Sequence, residues 1–194
     1  VSEYAPVVSE AGLIRSRIEV EIALLENLSN VGVVRVLSKE EKEILQSLKA
    51  EPNDKLIYRV KEIEKTTRHD VKAVELALKE FLPSSMDDVK EMIHFGVTSE
   101  DINNLAYRIQ LREGLKLLQT DYGNIFYELM EFSKKYKRTP MLARTHGQAA
   151  VPTTLGREFL VYASRLEKSL HKLNEIKLAG KLNGAVGSYN SFVA

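Results

Sequence analysis

The chain is defined first by what it lacks. It contains no cysteine, which excludes disulfides, thiolate metal sites and cysteine nucleophiles and fits a reducing compartment. No stretch approaches the roughly 18 uninterrupted apolar residues of a membrane helix. The first residues also lack the basic region and apolar run of a signal peptide. We therefore expect a cytoplasmic protein without a membrane partner.

An excess of charge of either sign is also missing. Lysine and arginine total 28 and aspartate and glutamate total 27, which leaves a net charge of +1. This balance indicates neither a nucleic-acid surface nor a polybasic anchor, so we expect no nucleic-acid partner. With 194 residues, 44% of them hydrophobic and 28% charged, the chain is typical of one large or two small globular domains.

Both ends predict that the chain is a fragment of a longer protein. It starts with Val1 instead of methionine. It stops in small residues, after the sequence GAVGSYNSFVA, without a closing helix. We therefore expect further segments before and after it.

Apolar residues recur at helical spacing in the first half. A long first helix is predicted by Ile14, Ile18, Ile22, Leu25 and Leu28. Ser38, followed three residues later by Glu41, has the form of a capping box. After a break in the sequence AEPND, residues 50–54, helices are predicted over residues 55–65 and 71–81.

The second half contains longer helical patterns. Apolar spacing runs from Ile102 through Leu118 and on to Phe132, which predicts one long helix or two in succession despite two internal glycines. Residues 135–156 have no helical period and predict a loop with a short extended piece. Steps typical of long bundle helices then follow at Phe159, Ala163, Leu166, Leu170 and Leu173.

The fold class predicted by these patterns is all-α. No strand alternation extends over more than a few residues. We expect a mixed helical N-terminal domain over residues 1–93. Residues 94–194 are then expected to form the first part of a long-helix bundle domain.

Three of the four histidines lie in breaks between helices. They are His69, His94 and His146, whereas His171 lies within a plain helical run. Histidine gives or takes a proton near neutral pH, which favours acid–base chemistry at these breaks. No two histidines have the spacing of a zinc motif, and their companions are Thr, Ser, Arg and Gln, so we expect no metal.

Two interpretations are open for HFGVTSEDINN, residues 94–104. As structure, Thr98 or Ser99 caps a helix that begins near Glu100, where acidic residues complement the helix dipole. As function, the free N–H groups of the same helix start suit an anionic ligand. Local physics favours the plain cap, because most helix caps bind no ligand.

Asp70 and three basic residues are open to two interpretations as well. Asp70 either supports the neighbouring His69 or a substrate hydroxyl, or it complements a helix dipole. Arg68, Arg144 and Lys181 lie near the breaks and meet either anions or solvent.

Four segments together resemble the adenylosuccinate lyase family of the fumarase/aspartase superfamily. They are TTRHDVKAVE, HFGVTSEDINN, ARTHGQAAVPTTLGRE and GKLNGAVGSYN, and they occur in order along essentially the whole chain. The TSEDINN and KLNGAVGSYN forms resemble the bacterial branch. The resemblance implies a fumarase/aspartase-like fold built around a helical bundle.

The resemblance implies an enzyme of purine nucleotide biosynthesis. It would release fumarate by β-elimination from adenylosuccinate, giving AMP, and from the succinyl-carboxamide ribotide SAICAR, giving AICAR. A base removes a proton next to a carboxylate, the carbanion is held as an aci-carboxylate, and an acid protonates the departing nitrogen. The reaction needs groups that hold two carboxylates and a phosphate, and it uses no metal or organic cofactor.

The resemblance also implies roles for single residues. His146 matches the general acid, and His69 matches a histidine that contacts the substrate and assists catalysis. The other matched substrate-binding residues are Arg68, Asp70, Thr98, Ser99 and Thr145. His94 matches the motif with a structural role near the domain junction, and Asn183 matches a pocket position.

Parts of the family pattern are changed or lie outside the chain. Ala149 stands where the family usually has proline after THGQ. The family's Arg-Tyr pair would precede Val1, and its Gly/Ser-rich loop with the catalytic serine base would follow Ala194. The resemblance further implies a homotetramer whose active sites combine segments of three subunits.

Two other functions stay open. The first is another lyase of the same superfamily, such as an argininosuccinate lyase, with a different succinyl-type substrate. The second is a non-catalytic helical assembly protein on the same scaffold. The presence of both His69 and His146 argues against the second.

Residues 1–194 alone are predicted to be inactive, because the resemblance places the serine loop and most of the bundle outside them. The test is to purify the 194-residue chain and to follow fumarate release from adenylosuccinate. Turnover close to that of a full-length enzyme would contradict the prediction.

Overall fold

Helices form nearly all of the regular structure, so the predicted all-α class is confirmed. The computed structural model describes residues 3–193 except for 51–53, and most of the predicted break at AEPND lies outside the described residues. The helices are α1 Ala5–Val8, α2 Glu10–Asn30, α3 Lys39–Ala50, α4 Asp54–Thr67, α5 Asp70–Phe81, α6 Ser99–Lys135 and α7 Leu155–Glu175. The strands are β1 Pro140–Thr145 and β2 Gln148–Thr154, and short 3₁₀ turns span Ser84–Met86, Lys90–Met92 and Asn190–Phe192.

The chain divides into two compact units. Unit 1 contains residues 1–114 and 179–194, and unit 2 contains residues 115–178. Helix α6 contributes its first part to unit 1 and its remainder to unit 2. The domain division expected between residues 93 and 94 stays a prediction.

The core of unit 1 lies among α2, α3, α4 and α5. The predicted long first helix is confirmed as α2, and its apolar stripe is buried because residues three and four apart share one face of a helix. The core side chains without solvent exposure include Ile18, Ile22, Leu25, Leu45, Leu56, Val74, Leu78 and Met86. Burying a side chain of this size contributes about 1.5–3 kcal/mol.

The capping box predicted at the start of α3 is confirmed. The Glu41 N–H donates to Ser38 Oγ at 3.2 Å, and the Ser38 N–H donates to Glu41 Oε2 at 2.8 Å. Two otherwise free N–H groups are thereby satisfied. Arg35 donates to both carboxylate oxygens of Glu41 and also to Asp88, which joins the cap to the loop after α5.

A smaller apolar cluster lies beneath the segments that carry the histidine motifs. It consists of Val20 of α2, Val71 of α5 and Ile102 of α6, and each of these side chains is buried. Val71 follows Asp70 directly, and Ile102 comes three residues after Ser99. This cluster therefore holds the first turns of α5 and α6 against α2.

Unit 2 contains the end of α6, the two strands and α7. The segment predicted as a loop with a short extended piece is an antiparallel hairpin, in which Pro140 lies opposite Thr154. Most of its residues are exposed on both faces, so it lacks the polar–apolar alternation that signals a strand. Phe132 and Phe159 stack with ring centroids 5.2 Å apart and join α6 to α7.

Helix α7 has the predicted apolar stripe, but the stripe is only partly covered. Gly156 and Ala163 are the buried residues that the structure describes in this helix. Leu166, Leu170 and Leu173 are half-buried. The bundle face predicted from the sequence is therefore present in unit 2 and incompletely packed there.

A helix must be both long and apolar to span a membrane. Across the described part of the chain, none combines the length and the apolar character needed to span a bilayer.

Two helical glycines of unit 2 provide a matched test of close packing. A Cβ built on Gly156 would lie 2.4 Å from the Ser133 carbonyl oxygen and 2.6 Å from Lys137 Cα, whereas one built on Gly123 meets open space. Gly156→Ala should therefore lower the free energy of unfolding by about 1–3 kcal/mol. Gly123→Ala should raise it by about 0.5–1 kcal/mol. Urea unfolding measures both, and equal effects would contradict the packing explanation.

Candidate active site

The turn between α4 and α5 is formed by the TTRHD motif. Arg68 has a left-handed backbone with φ of 51°, and its N–H donates to the Glu64 carbonyl at 2.8 Å, which ends α4. The Arg68 side chain is exposed. His69 is the N-cap of α5, because its Nδ1 accepts the Lys72 N–H at 3.2 Å. The reversal at Arg68 thus places the imidazole of His69 at a helix start.

His69 also faces the second motif. Its Nε2 lies 3.3 Å from Ser99 Oγ, the first residue of α6. Because Nδ1 uses its lone pair to accept the Lys72 N–H, the neutral ring carries its proton on Nε2. The structure therefore presents His69 as an Nε2–H donor, and about half of this side chain is exposed to solvent.

The carboxylate of Asp70 forms hydrogen bonds with two groups other than the imidazole. Its Oδ1 accepts the Val71 N–H at 2.9 Å, and its Oδ2 accepts from Arg17 Nη2 at 2.5 Å. Burial raises the pKa of Asp70, but the Val71 N–H and the Arg17 cation outweigh burial and hold that pKa below its usual value. Since His69 Nδ1 is occupied by Lys72 and lies 3.7 Å from Asp70, the carboxylate serves the helix start and Arg17.

Thr98 and Ser99 lie at the start of α6. The Asp101 N–H donates to the Thr98 carbonyl at 2.9 Å, and the Thr98 N–H donates in return to Asp101 Oδ2 at 2.9 Å. The carboxylate of Asp101 therefore provides the return bond of a helix cap. Ser99 keeps its hydroxyl directed toward His69. The start of α6 is therefore capped by Asp101 while the Ser99 hydroxyl faces His69.

Asp101 also binds the fourth motif, GKLNGAVGSYN. Its carboxylate has no solvent exposure and accepts from Lys181 Nζ at 2.6 Å, from the Asn183 N–H at 3.0 Å and from the Gly184 N–H at 3.2 Å. Burial raises the pKa of Asp101, but Lys181 and the backbone donors more than offset burial and lower that pKa. Asp101 therefore remains ionised and fixes the segment after α7 against α6.

Further bonds secure the same segment. Asn104 Oδ1 accepts the Lys181 N–H at 2.8 Å, and Ser191 Oγ donates to the Gly96 carbonyl. The sequence left open whether Lys181 meets an anion or solvent. In the structure its Nζ donates to Asp101 and to the Gly184 carbonyl. Asn183 Oδ1 is buried and has no hydrogen-bond partner.

His94 forms a second link from the motifs to α2. Its Nδ1 lies 2.6 Å from Oε1 of Glu21, a carboxylate with no solvent exposure whose Oε2 has no partner. Burial lowers the pKa of His94, but the hydrogen bond and charge of Glu21 outweigh burial, so the pKa is raised above 6.5. Glu75 acts in the same direction and Lys72 opposes it.

Thr145 and His146 lie in unit 2, at the tip of the hairpin. Thr145 is opposite Gln148, and the two residues between them, His146 and Gly147, have φ of 49° and 73°. Two successive positive φ values form the tight turn that matches the twist of a hairpin. Both Thr145 and His146 are exposed. The turn therefore projects the imidazole away from the strands.

Left-handed backbone is concentrated in the four motifs. Among the described residues other than glycine, positive φ occurs at Arg68, His94, His146 and Tyr189. Each residue of this kind costs about 1–3 kcal/mol and persists only where the surroundings impose it. One such residue lies in each motif, and backbone strain of this kind clusters at functional sites.

Several residues of this site were missed by the sequence reasoning. Two of them, Arg17 and Glu21, lie on α2 and bind Asp70 and His94. The other two, Asp101 and Asn103, lie inside HFGVTSEDINN and bind Lys181 and Arg17. The signal for two of them was present in α2. Arg17 and Glu21 are four residues apart and share the buried stripe with Ile18, and a charge on an apolar face indicates a buried partner.

Potential metal ligands are dispersed over the part of the chain that the structure describes. No cluster of three or more histidine, aspartate or glutamate side chains there has the geometry to hold an ion. The carboxylates of Asp70, Asp101 and Glu21 are bound instead to Arg17, Lys181 and His94.

Comparison with known families and proteins gives a consistent result. A family model described as "Lyase" matches residues 2–194. Adenylosuccinate lyase from Haemophilus influenzae is 37% identical over 200 residues, which cover all of this chain and 44% of that protein. Adenylosuccinate lyase from Escherichia coli K12 is 36% identical with the same coverage, and that from Vibrio cholerae is 37% identical over 97% of this chain and 42% of that protein.

Solved structures match the fold over nearly the whole chain. A β-carboxy-cis,cis-muconate cycloisomerase from Acinetobacter calcoaceticus has a TM-score of 0.84 at 25% identity, covering 99% of this chain and 45% of that one. A fumarate lyase from Mesorhizobium sp. BNC1 has a TM-score of 0.82 at 22% identity, covering 98% and 44%. The chain spans less than half the length of the curated relatives it matches.

The pair of His94 and Glu21 predicts a dependence of stability on pH. Because folding raises the pKa of His94, the pair stabilises fully below about pH 6.5, the ordinary value for histidine, and its contribution is lost as pH rises through the folded pKa. His94→Gln should lower the free energy of unfolding by about 3 kcal/mol at pH 6 and by less at alkaline pH.

Urea unfolding at a series of pH values measures this effect. His171→Gln is the matched control, because His171 lies on α7 with 77% of its side chain exposed, and it should leave the pH dependence unchanged. An effect of His94→Gln that is constant with pH would contradict the charged pair.

Proposed function

Because the chain belongs to the lyase family, we propose that the protein containing it is an adenylosuccinate lyase. It releases fumarate from adenylosuccinate to give AMP, and from SAICAR to give AICAR, in purine nucleotide biosynthesis. One observation carries the proposal: three separate motifs typical of that family meet around the start of α6, where His69 faces Ser99 and Asp101 binds the segment of Lys181. The names of the relatives at 36–37% identity support it.

The reaction requires groups for anions and for proton transfer. Adenylosuccinate carries two carboxylates and a phosphate, and the carbanion formed on proton removal adds negative charge to one carboxylate. Preorganised donors directed at that charge lower the barrier. A donor near the departing nitrogen must also supply a proton. In this proposal the described residues hold the substrate and protonate the leaving group.

His69 serves as a hydrogen-bond donor in this proposal. Its Nδ1 is committed to the Lys72 N–H, so Nε2–H is the group available to an oxygen of the substrate. Ser99 Oγ, 3.3 Å away, accepts that hydrogen in the absence of substrate and binds the same ligand when it arrives. A donor of this type polarises an acceptor without first losing its own proton.

In this proposal Thr98, Ser99 and Arg68 bind negatively charged groups of the substrate. The start of α6 combines N–H groups with the positive end of the helix dipole, which favours an anion. Arg68 extends an exposed guanidinium from the turn that also carries His69. Asp70, bound to Arg17, keeps this turn in place rather than binding the substrate charge. Asn183 is a further pocket residue by family resemblance.

His146 is the general acid of the proposal, and Thr145, the residue before it, is a substrate-binding residue by family resemblance. His146 lies exposed on a two-residue turn. The base that removes the carbon-bound proton is assigned by family resemblance to a serine loop outside this chain.

The proposed assembly is a homotetramer in the cytoplasm. Support comes from the apolar side chains that unit 2 leaves exposed, among them Leu118, Ile125, Leu160 and Tyr162. Exposed apolar surfaces of helices are typical of faces that pack against other chains.

The proposal is tested in the full-length protein that contains this chain. His146→Gln should lower kcat by about 10²–10⁴-fold, because an acid in the rate-determining proton transfer is worth that much. His171→Gln in the same unit should leave kcat unchanged, since His171 lies on the exposed side of α7. The change in absorbance on fumarate formation measures both, and circular dichroism confirms that each variant is folded.

The same assay separates the alternatives. Wild-type turnover of argininosuccinate without turnover of adenylosuccinate would contradict the proposal and favour the related lyase. A well-folded wild-type protein that turns over neither compound would favour the non-catalytic assembly protein.

A further inference from the structure

We propose that Arg17 is a positioning residue for the proposed reaction: by binding Asp70 and Asn103 together, it sets the distance between His69 and Ser99. This proposal rests on the proposed function, because the distance between His69 and Ser99 affects activity only if both residues bind the substrate. Arg17 lies on α2, outside all four motifs.

The first support is the burial of Arg17. Its side chain is 5% exposed, and a buried arginine needs partners because an unpaired charge away from water is costly. Its partners are Oδ2 of Asp70, 2.5 Å from Nη2, and Oδ1 of Asn103, 2.8 Å from Nε. Because the guanidinium is buried, Arg17 does not touch substrate and acts through the residues it binds.

The second support is the location of the two partners. Asp70 is the first residue of α5 and directly follows His69, the cap of that helix. Asn103 lies four residues after Ser99 in α6, and residues four apart lie on the same face of a helix. One guanidinium therefore binds the first residue of α5 and the fifth residue of α6.

The third support is the geometry of the guanidinium. Nε and Nη2 are neighbouring donors on one rigid plane, so the two acceptors are held at a fixed separation. A lysine carries one flexible ammonium and cannot reproduce that separation. Packing alone would be served equally well by an apolar side chain, since replacing a buried ion pair by apolar residues is often neutral for stability. The fixed separation is what arginine adds.

Asp70 also links Arg17 to the backbone of α5, because its two carboxylate oxygens have different partners. While Oδ2 binds Arg17, Oδ1 accepts the Val71 N–H, so movement of the guanidinium is transmitted to the backbone at the start of α5. On the other side, Val71 and Ile102 pack in the same apolar cluster. The cluster holds the helices together, and Arg17 fixes their relative position along that contact.

The test is a double-mutant cycle in the full-length enzyme. Arg17→Lys should lower kcat/KM for adenylosuccinate by about 10²-fold, since a displacement near 1 Å has effects of that size. In a His69→Asn background, where asparagine preserves a helix cap, the same substitution should lower kcat/KM by less than about 3-fold. Equal losses in the two backgrounds would show a general structural role and overturn the proposal.

Two further variants sharpen the cycle. Arg15→Lys is the matched control, because Arg15 lies on the same helix and its contact with Asp54 is a long surface pair of 3.8 Å; it should have no effect in either background. Asn103→Ala removes one partner and leaves the pair of Arg17 and Asp70 intact. It should lower kcat/KM by about 10-fold, and again only when His69 is present. Full activity of Asn103→Ala would overturn the proposal even if Arg17→Lys failed to fold.

A spectroscopic measurement separates this proposal from the proposed function. ¹⁵N spectra of the imidazoles should show His69 as the Nε2–H form in the wild-type protein and in Arg15→Lys. In Arg17→Lys the His69 signals should move toward those of a mobile, averaged ring. This readout does not need turnover, so an inactive wild type would reject the proposed function alone, and an unchanged His69 spectrum would reject the role of Arg17.

Discussion

The buried carboxylate of Asp101 is the interaction on which the rest of the site depends. It accepts hydrogen bonds from Thr98, Lys181, Asn183 and Gly184, so a single side chain defines the start of α6 and holds a segment from the far end of the chain. A carboxylate removed from water is unstable unless its oxygens are satisfied. Because backbone N–H groups satisfy this carboxylate, it fixes both the start of α6 and the segment around Asn183. The position of Ser99 is fixed as a result.

Helix α2 provides the other constraint, because it delivers two buried charges to the motifs. Arg17 binds the turn of His69 through Asp70, and Glu21 binds His94. Placing charges on the apolar face of a helix lowers the stability that the same positions would give with aliphatic residues. The large core around Ile18 and Leu25 offsets that loss. Unit 1 therefore combines a conventional apolar core with a polar layer that orients the candidate site.

The sequence predicted more of the helices than of the contacts. Apolar periodicity and the Ser38–Glu41 box depend on neighbours in the chain, so α2, α3 and α7 could be derived from local rules. The meeting of His69 with Ser99, or of Asp101 with Lys181, depends on how distant segments pack, and residue spacing carries no information about that. The hairpin around His146 was missed as regular structure because both of its faces are largely exposed. Family resemblance identified the motif residues but not the partners that orient them.

The bond between Asp101 and Lys181 also has a consequence for the order in which the molecule is made. The two residues are 80 positions apart, and unit 2 lies between them in the chain. A polypeptide is synthesised from its N-terminus to its C-terminus, so Asp101 is made long before its partner Lys181. Until residue 184 has emerged, water must solvate Asp101 and the first turn of α6 lacks its fixed geometry. The site is therefore among the last parts of unit 1 to mature, although the first turn of α6 is synthesised well before Lys181.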